Sequence, residues 1–408
     1  MTDVLVIGAG PSGSVAAALL VQRGFRVLVL ERQKFPRFSI GESLLAQSLV
    51  LIDQAGMLEA VQSANFQYKS GAAFAWRGKY DEFNFAQKSS PGYGFTYQVI
   101  RADFDQILIN EAIRMGAQVR YEVEIVAADF SGRSPVITAK DKDGKLEEHR
   151  PKFVLDASGF GRTLPRLLKL ESPSNQPVRI AYYTQVYDKI TSGAFDRQKI
   201  RVTTHPKHRD IWFWLIPFSN GLSSMGVVGS AEQLEPRGAN FEERLWALTN
   251  EDPELRELLK NHQPFRPVGE LKGYSANVST MAGNGFALLG NAAEFLDPVF
   301  SSGVTIALKS AHLVAPLVEK QLKGGSVDWK KDFEEPLRYG VETFRAFVDT
   351  WYDCRLQDII YYEKKDPGIK RHLCSVLAGY AWDENNPYTG PKTLHRLDVL
   401  HKAVQKGM

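Results

Sequence analysis

The chain reads as an α/β protein: a parallel sheet wound with helices, an inserted antiparallel sheet, and a helical C-terminal region. Three observations predict this. A wholly apolar, β-branched run, Val4-Leu5-Val6-Ile7, passes through a glycine turn into an alanine-rich stretch and a second apolar run ending at Glu31, the order of a βαβ unit. Strand-and-turn segments return at 153–159 and 285–293, so one sheet is revisited late in the chain. Between these visits lie alternating runs such as Ala181-Tyr-Tyr-Thr-Gln-Val, and from Asp328 onward the pattern is mostly helical.

The length of 408 residues suits one large domain with insertions, or two modest ones. With 44% hydrophobic and 24% charged residues the composition is globular, not disordered. The net charge of +3 is small, and no Lys/Arg-dense run with interleaved aromatics occurs, so no nucleic-acid partner is expected. Two cysteines, Cys354 and Cys374, are too few for a disulfide framework or a cysteine-built metal site. The first apolar run ends in glycines after a few residues, and no segment approaches the roughly 20 apolar residues of a membrane helix. A cytoplasmic protein without a membrane partner is therefore expected.

The first element is the strand at Val4 to Ile7, a pattern buried on both faces. It runs into Gly8-Ala9-Gly10-Pro11-Ser12-Gly13. Gly8 permits the tight turn, Gly10 lets backbone approach a pyrophosphate, and Gly13 lets the helix pack on the strand. Ser12 lies at the helix start, where free N–H groups and the positive dipole end attract phosphates. The helix runs through Val15, Ala18, Leu19 and Val21 and stops at Gly24; the next strand ends in Glu31, followed by Arg32. Glu31 is placed to accept hydrogen bonds from ribose hydroxyls. Strand, helix and terminal acid together make this a dinucleotide site and not merely a structural turn.

Later segments choose FAD. The run Phe35-Pro-Arg-Phe-Ser-Ile-Gly41-Glu42-Ser43 follows the second strand, where an FAD domain wraps its ribityl chain, with Ser43 as a contact. Arg101 opens a helix and is placed to reach the pyrophosphate. The strand at 153–155 ends in Asp156-Ala-Ser158-Gly159, a turn expected close to the cofactor, and Asn291 follows the late strand at a second turn. Each alone reads as an ordinary loop or a solvated arginine; their order and spacing together favour a flavin. No second strand–GxGxxG–helix unit with a terminal acid occurs. Reduced flavin is thus expected from a separate flavin reductase or a transiently bound nicotinamide.

Three further motifs remain. Trp212-Phe-Trp214-Leu-Ile-Pro217 sets two indoles and a proline on one strand; such a stripe is more often core. Phe295-Leu-Asp297-Pro298-Val-Phe300-Ser301-Ser302-Gly303 precedes a helix from Val304, where main-chain N–H groups can converge on an anion. Lys69 stands in Lys69-Ser-Gly-Ala-Ala-Phe74-Ala-Trp76; a lysine chosen blindly is usually a solvated charge. Together these motifs make the chain, to about Tyr362, resemble the flavin-dependent halogenases. The closer likeness is to the non-tryptophan, phenol- and pyrrole-type branch, within the aromatic flavin monooxygenase fold family.

The resemblance implies an FAD-binding Rossmann-like domain with an inserted antiparallel substrate sheet and C-terminal helices. It implies that reduced FAD, O2 and chloride or bromide give hypohalous acid. Trp212, Trp214 and Pro217 would shield the flavin from substrate; the amides of Ser302 and Gly303 would hold halide; Pro298 would contact the cofactor. Lys69 would be the catalytic amine that delivers halogen to a small electron-rich aromatic, free or tethered to an acyl or peptidyl carrier protein. The expected division is 1–65, 100–175 and 276–325 for FAD, 66–99 and 176–275 for the substrate sheet, and 326–408 for the helical region. The sequence departs from the family at Phe300, where tryptophan halogenases carry glutamate, at Asn291, where many relatives place aspartate, and at Ser39, where histidine is common. The alternative reading is an aromatic hydroxylase or a prenyl-chain reductase of the same fold.

Overall fold

The computed structural model describes residues 2–174, 176–191, 193 and 195–407. Six strands form the dinucleotide sheet, in the order Ala282–Gly283, Phe286–Leu288, Phe153–Asp156, Val4–Ile7, Val27–Glu31, Gln118–Tyr121. All but the first run parallel, and Ala282–Gly283 turns back antiparallel at the edge. Every residue of Val4–Ile7 and Phe153–Asp156 is buried, which is why these strands read as unbroken apolar runs. Helix Pro11–Gln22 packs against helices Arg101–Met115 and Ser302–Leu322. Parallel strands end on one side, so Ile7, Glu31, Asp156 and Leu288 all deliver their loops to the same edge, where such sheets bind ligands.

The second sheet is larger and less uniform than its sequence pattern suggests. Its order is Gln263–Pro264, Ile180–Tyr187, Leu222–Gly229, Trp212–Pro217, Lys199–Thr204, Gly71–Trp76, Lys79–Asn84, with Gly269–Lys272 also on Ile180–Tyr187. The strands pair antiparallel except at one seam, where Lys199–Thr204 runs parallel to Gly71–Trp76. That seam joins two separate excursions of the chain, so no hairpin fixes its direction.

Two regions carry elements that the sequence reading did not anticipate. Strands Val123–Asp129, Val136–Asp141 and Leu146–His149 form their own three-stranded sheet; much of it is exposed, so its apolar alternation is faint. Helices Phe241–Glu251 and Pro253–Leu258 fall inside the region 176–275 expected to form the substrate sheet. They cover the outer face of the second sheet, where Ile180, Tyr182, Phe213, Leu215 and Val227 pack with Leu245, Leu248 and Leu255 in a separate core. From residue 328 the chain is helical as its periodicity indicates, through Glu335–Tyr352, Arg355–Ile360, Pro367–Leu377 and Thr393–Gln405. Phe344, Phe347 and Trp351 are at most 1% exposed, the core reading of that stripe. No helix among the described residues is long and apolar enough to cross a membrane.

Candidate active site

A cleft of about 1560 Å³, part of it open to solvent, runs along the C-terminal edge of the parallel sheet and under the second sheet. The volume within it that water-sized molecules can occupy is about 330 Å³, inside the roughly 300–1,000 Å³ of ordinary small-molecule sites. At one end lies the glycine loop. Gly8 has φ +97°, and a Cβ on it would meet the Ala157 carbonyl oxygen at 2.6 Å. A Cβ on Gly13 would strike the Gly8 carbonyl oxygen at 2.0 Å, so this glycine is the contact of helix on strand. Above Gly10 the space is open except for Arg37 Nη2, 3.5 Å from where a Cβ would sit.

Gly8, Gly10, Ser12, Glu31, Arg32, Ser43, Arg101, Asn291 and Pro298 all line this cleft. Glu31 is only 5% exposed, and its two oxygens accept from the Ala9 and Gln33 N–H groups at 2.8 and 2.9 Å. It therefore ties down the glycine loop, and a carboxylate has lone pairs left for ribose hydroxyls. Arg101 is more committed than its sequence context suggests: a bidentate pair with Asp105 at 2.8 and 2.9 Å, and a bond to the Ile40 carbonyl at 2.6 Å. Arg37 is the guanidinium nearer the glycine loop. Its buried Nη1 is ion-paired with Asp105 at 3.0 Å, while Nη2 lies on the glycine-loop side.

Asp156 falls outside the cleft, contrary to its expected role. It is fully buried at the strand end, accepting from the Ser158 and Leu164 N–H groups at 2.9 and 2.6 Å. These bonds shape the turn, whose following residues, Ala157 to Gly161, provide the cleft wall. Beyond Glu31 a second recess is lined by Leu30, Val123, Ile125, Thr163 and Leu167. Its lining mixes these side chains with Arg32, Glu124 and Arg166, and Val123 and Ile125 come from the unanticipated strand Val123–Asp129. Open glycine backbone, a buried acid at the strand end, the Arg37 guanidinium beside the loop and a recess beyond Glu31 together fit a dinucleotide.

The other end of the cleft is closed by indoles. Trp212, Trp214 and Ile216 face it, with ring centroids of the two tryptophans 5.8 Å apart. Pro217 does not line it: side chains alternate along a strand, and the odd positions Phe213 and Leu215 pack into the separate outer core. Ile216 takes the place assigned to Pro217. Trp214 Nε1 donates to Ser224 Oγ at 3.1 Å, and Trp212 Nε1 donates to the Tyr352 hydroxyl at 2.9 Å. Tyr352 in turn donates to Asp297 at 2.7 Å, which also accepts from the Tyr274 hydroxyl at 2.9 Å. Burial pushes the Asp297 carboxyl up, while these donors hold it down.

Asp297 stands immediately before the loop that was read as the anion site. There Ser301 is left-handed at φ +57° and starts helix Ser302–Leu322. Ser301 and Gly303 line the cleft; the Ser302 side chain is buried outside it. The first amides of a helix have no intrahelical acceptor, so the N–H groups of Ser302 and Gly303 are the donors available to an anion.

Lys69 sits one layer behind the cleft. Strand Gln67–Lys69 pairs with Thr96–Gln98, and alternation turns Tyr68 outward at 42% exposure and Lys69 inward at 0%. Its Nζ donates to Ser43 Oγ at 2.8 Å and to the Leu44 carbonyl at 2.7 Å, beside the Phe85 ring. Burial alone brings the amine down to about 7. Ser43 is thus shared: one side on the cleft, the other on Lys69. Sequence reasoning missed Arg37, Ile216 and the Tyr352–Asp297 link; of these only Arg37 carried a signal, its place in the run after the second strand.

The FAD-binding domain family matches residues 1–333. A 1H-pyrrole-2-carbonyl-[peptidyl-carrier protein] brominase of Pseudoalteromonas luteoviolacea is 30% identical, over 93% of this chain and 92% of that one. The chain belongs to the flavin-dependent halogenases of that family. It is an FAD-dependent enzyme, and FAD, a halide and O2 are its cofactor and small co-substrates. The enzyme is also 29% identical to a 1H-pyrrole-2-carbonyl-[peptidyl-carrier protein] chlorinase of Pseudomonas fluorescens, over 98% of this chain and 93% of that one. Among solved structures, a flavoprotein/dehydrogenase of Cytophaga hutchinsonii shares 41% identity, 100% and 99% coverage and a TM-score of 0.96.

Proposed function

We propose that this enzyme halogenates an electron-rich aromatic of phenol or pyrrole type, with Lys69 as the amine that handles the electrophilic halogen. When bound, reduced FAD supplies the reduction of O2 that oxidises halide to hypohalous acid. The chain's own residues do the rest. Trp212, Trp214 and Ile216 close the cleft and keep substrate off the cofactor; the amides of Ser302 and Gly303 hold the halide; Lys69 receives the oxidant beyond the wall. The observation that carries this reading is the Lys69 amine itself. A neutral amine has two N–H groups, and both find acceptors, Ser43 Oγ and the Leu44 carbonyl. Its lone pair is left for an electrophile.

The relatives whose names give a pyrrole on a peptidyl carrier support a carrier-tethered substrate here. The single nucleotide-binding unit read in the sequence supports a separate flavin reductase as the source of reduced flavin. The cytoplasm fits two free cysteines, Cys354 and Cys374. In this reading 1–65, 100–175 and 276–325 hold FAD, 66–99 and 176–275 shape the substrate side, and 326–408 cap it.

Mass spectrometry of products tests the proposal. The protein is supplied with FAD, a flavin reductase, NADH, O2 and bromide over phenols, pyrroles and a carrier-bound pyrrole. Wild type should give brominated product, and Lys69→Ala should give none while still binding FAD. Product from Lys69→Ala would remove the lysine from the mechanism; hydroxylated product without bromine would favour the hydroxylase reading.

A further inference from the structure

Glu42 lines the cleft yet is only 2% exposed. Its hydrogen-bond partners are neutral. Gln185 Nε2 donates to Oε1 at 2.5 Å. Ser224, whose Oγ accepts from Trp214 Nε1, has its own proton for the Glu42 carboxyl. Gln185 and Ser224 stand directly opposite each other on strands Ile180–Tyr187 and Leu222–Gly229, so a rigid sheet holds both donors in place.

The charged and titratable groups around Glu42 are otherwise engaged. Arg101, from helix Arg101–Met115, is paired with Asp105 and bonded to the Ile40 carbonyl. Arg266 lies 3.5 Å over the Phe38 ring. Both act on Glu42 only through space, as the weakest influences on it. Tyr183, on strand Ile180–Tyr187, has its own hydroxyl pushed up, chiefly by burial. Lys69, behind Ser43, turns its hydrogens to Ser43 and Leu44. Burial dominates and lifts the Glu42 carboxyl to about 7.

We propose that Glu42 meets FAD as a neutral carboxylic acid, so that FAD binding takes up a proton from solvent. An ionised carboxylate in this cleft would add to the negative charge that FAD brings, with no ion-paired cation to offset it, and a filled cleft excludes the water that screens the two. A protonated carboxyl adds an O–H donor to the cleft. The balance is simple: protein with ionised Glu42, one proton and FAD give the complex with neutral Glu42, and the only covalent bond formed is the carboxyl O–H.

The test uses the full chain and reads binding, not turnover. FAD affinity is followed by flavin fluorescence from pH 6 to 9, and proton uptake by calorimetry in two buffers of different ionisation enthalpy. Wild type should bind progressively more weakly above about pH 7, approaching a tenfold loss per pH unit, and take up close to one proton at pH 8. Glu42→Gln, which copies the neutral acid, should bind at pH 8 as tightly as at pH 6 and take up no proton. Wild-type binding without proton uptake overturns the proposal, as does a Gln variant with the wild-type pH dependence. If Glu42→Gln does not fold, the proton count is taken on Lys69→Met, which removes the other group that titrates near 7; uptake close to one proton there supports the proposal, and its absence overturns it.

Discussion

Lys69 and Glu42 are each buried against their natural charge, and each leaves a signature in stability as well as in chemistry. The lysine holds its proton to about pH 7 in the folded chain but to about 10.5 when unfolded. Between those values the unfolded chain binds more protons, so stability rises with pH. Glu42 works in the other direction: folded, it keeps a proton to about 7 that the unfolded chain loses near 4.5. Stability attributable to Glu42 therefore falls as pH rises through that lower window. The two together predict a shallow stability minimum near neutrality, visible in thermal unfolding from pH 5 to 9. Lys69→Met should be a few kcal/mol more stable than wild type at pH 7, with the advantage shrinking toward pH 10; a variant no more stable than wild type would show that the buried amine is not strained. The sequence motif around Lys69 marked it as special. Its two acceptors come from residues 43 and 44, far away in sequence, and no local pattern names them.

At the scale of an element, the glycine turn shows how one motif combines two physical demands. Gly13→Ala places a Cβ 2.0 Å from the Gly8 carbonyl oxygen, a backbone atom that cannot swing away. It should cost at least 3 kcal/mol, on the order of severe overpacking, and drop the midpoint of thermal unfolding or prevent folding. Gly10→Ala meets only the end of the Arg37 side chain at 3.5 Å. The variant should fold with an unchanged midpoint and lose FAD affinity about tenfold or more, because backbone must approach the pyrophosphate there. Equal destabilisation by both would contradict this division. The strand Trp212–Pro217 carries the complementary lesson. Its motif points to a wall, and the pleat then decides that Trp212, Trp214 and Ile216 face the cleft while Pro217 does not. The helices that bury Phe213 and Leu215 lie some thirty residues on, so the two-sided burial could not be read from the strand alone.

Across the whole molecule, helix Glu335–Tyr352, the first long one of the C-terminal region, is bound to the cleft through Tyr352, which accepts from Trp212 and donates to Asp297. One hydroxyl thus joins the indole wall to the loop that leads into helix Ser302–Leu322, the proposed halide site. Tyr352→Phe leaves both partners short of a bond, at about 1–3 kcal/mol. It should lower the unfolding midpoint by several degrees and weaken halide dependence of turnover, while FAD affinity stays within twofold; unchanged halide dependence would confine Tyr352 to stability. The sequence by itself determined the parallel sheet, the glycine turn and the cofactor class, because these rest on local periods and on the order and spacing of motifs along the chain. Only the tertiary structure decided which side of each strand meets the cleft, that Asp156 shapes a turn outside it, and that Arg37 reaches toward the glycine loop while Arg101 holds a bidentate pair with Asp105. Those outcomes depend on contacts between segments far apart in the chain, where burial and the competition for hydrogen-bond partners, not local pattern, set the geometry.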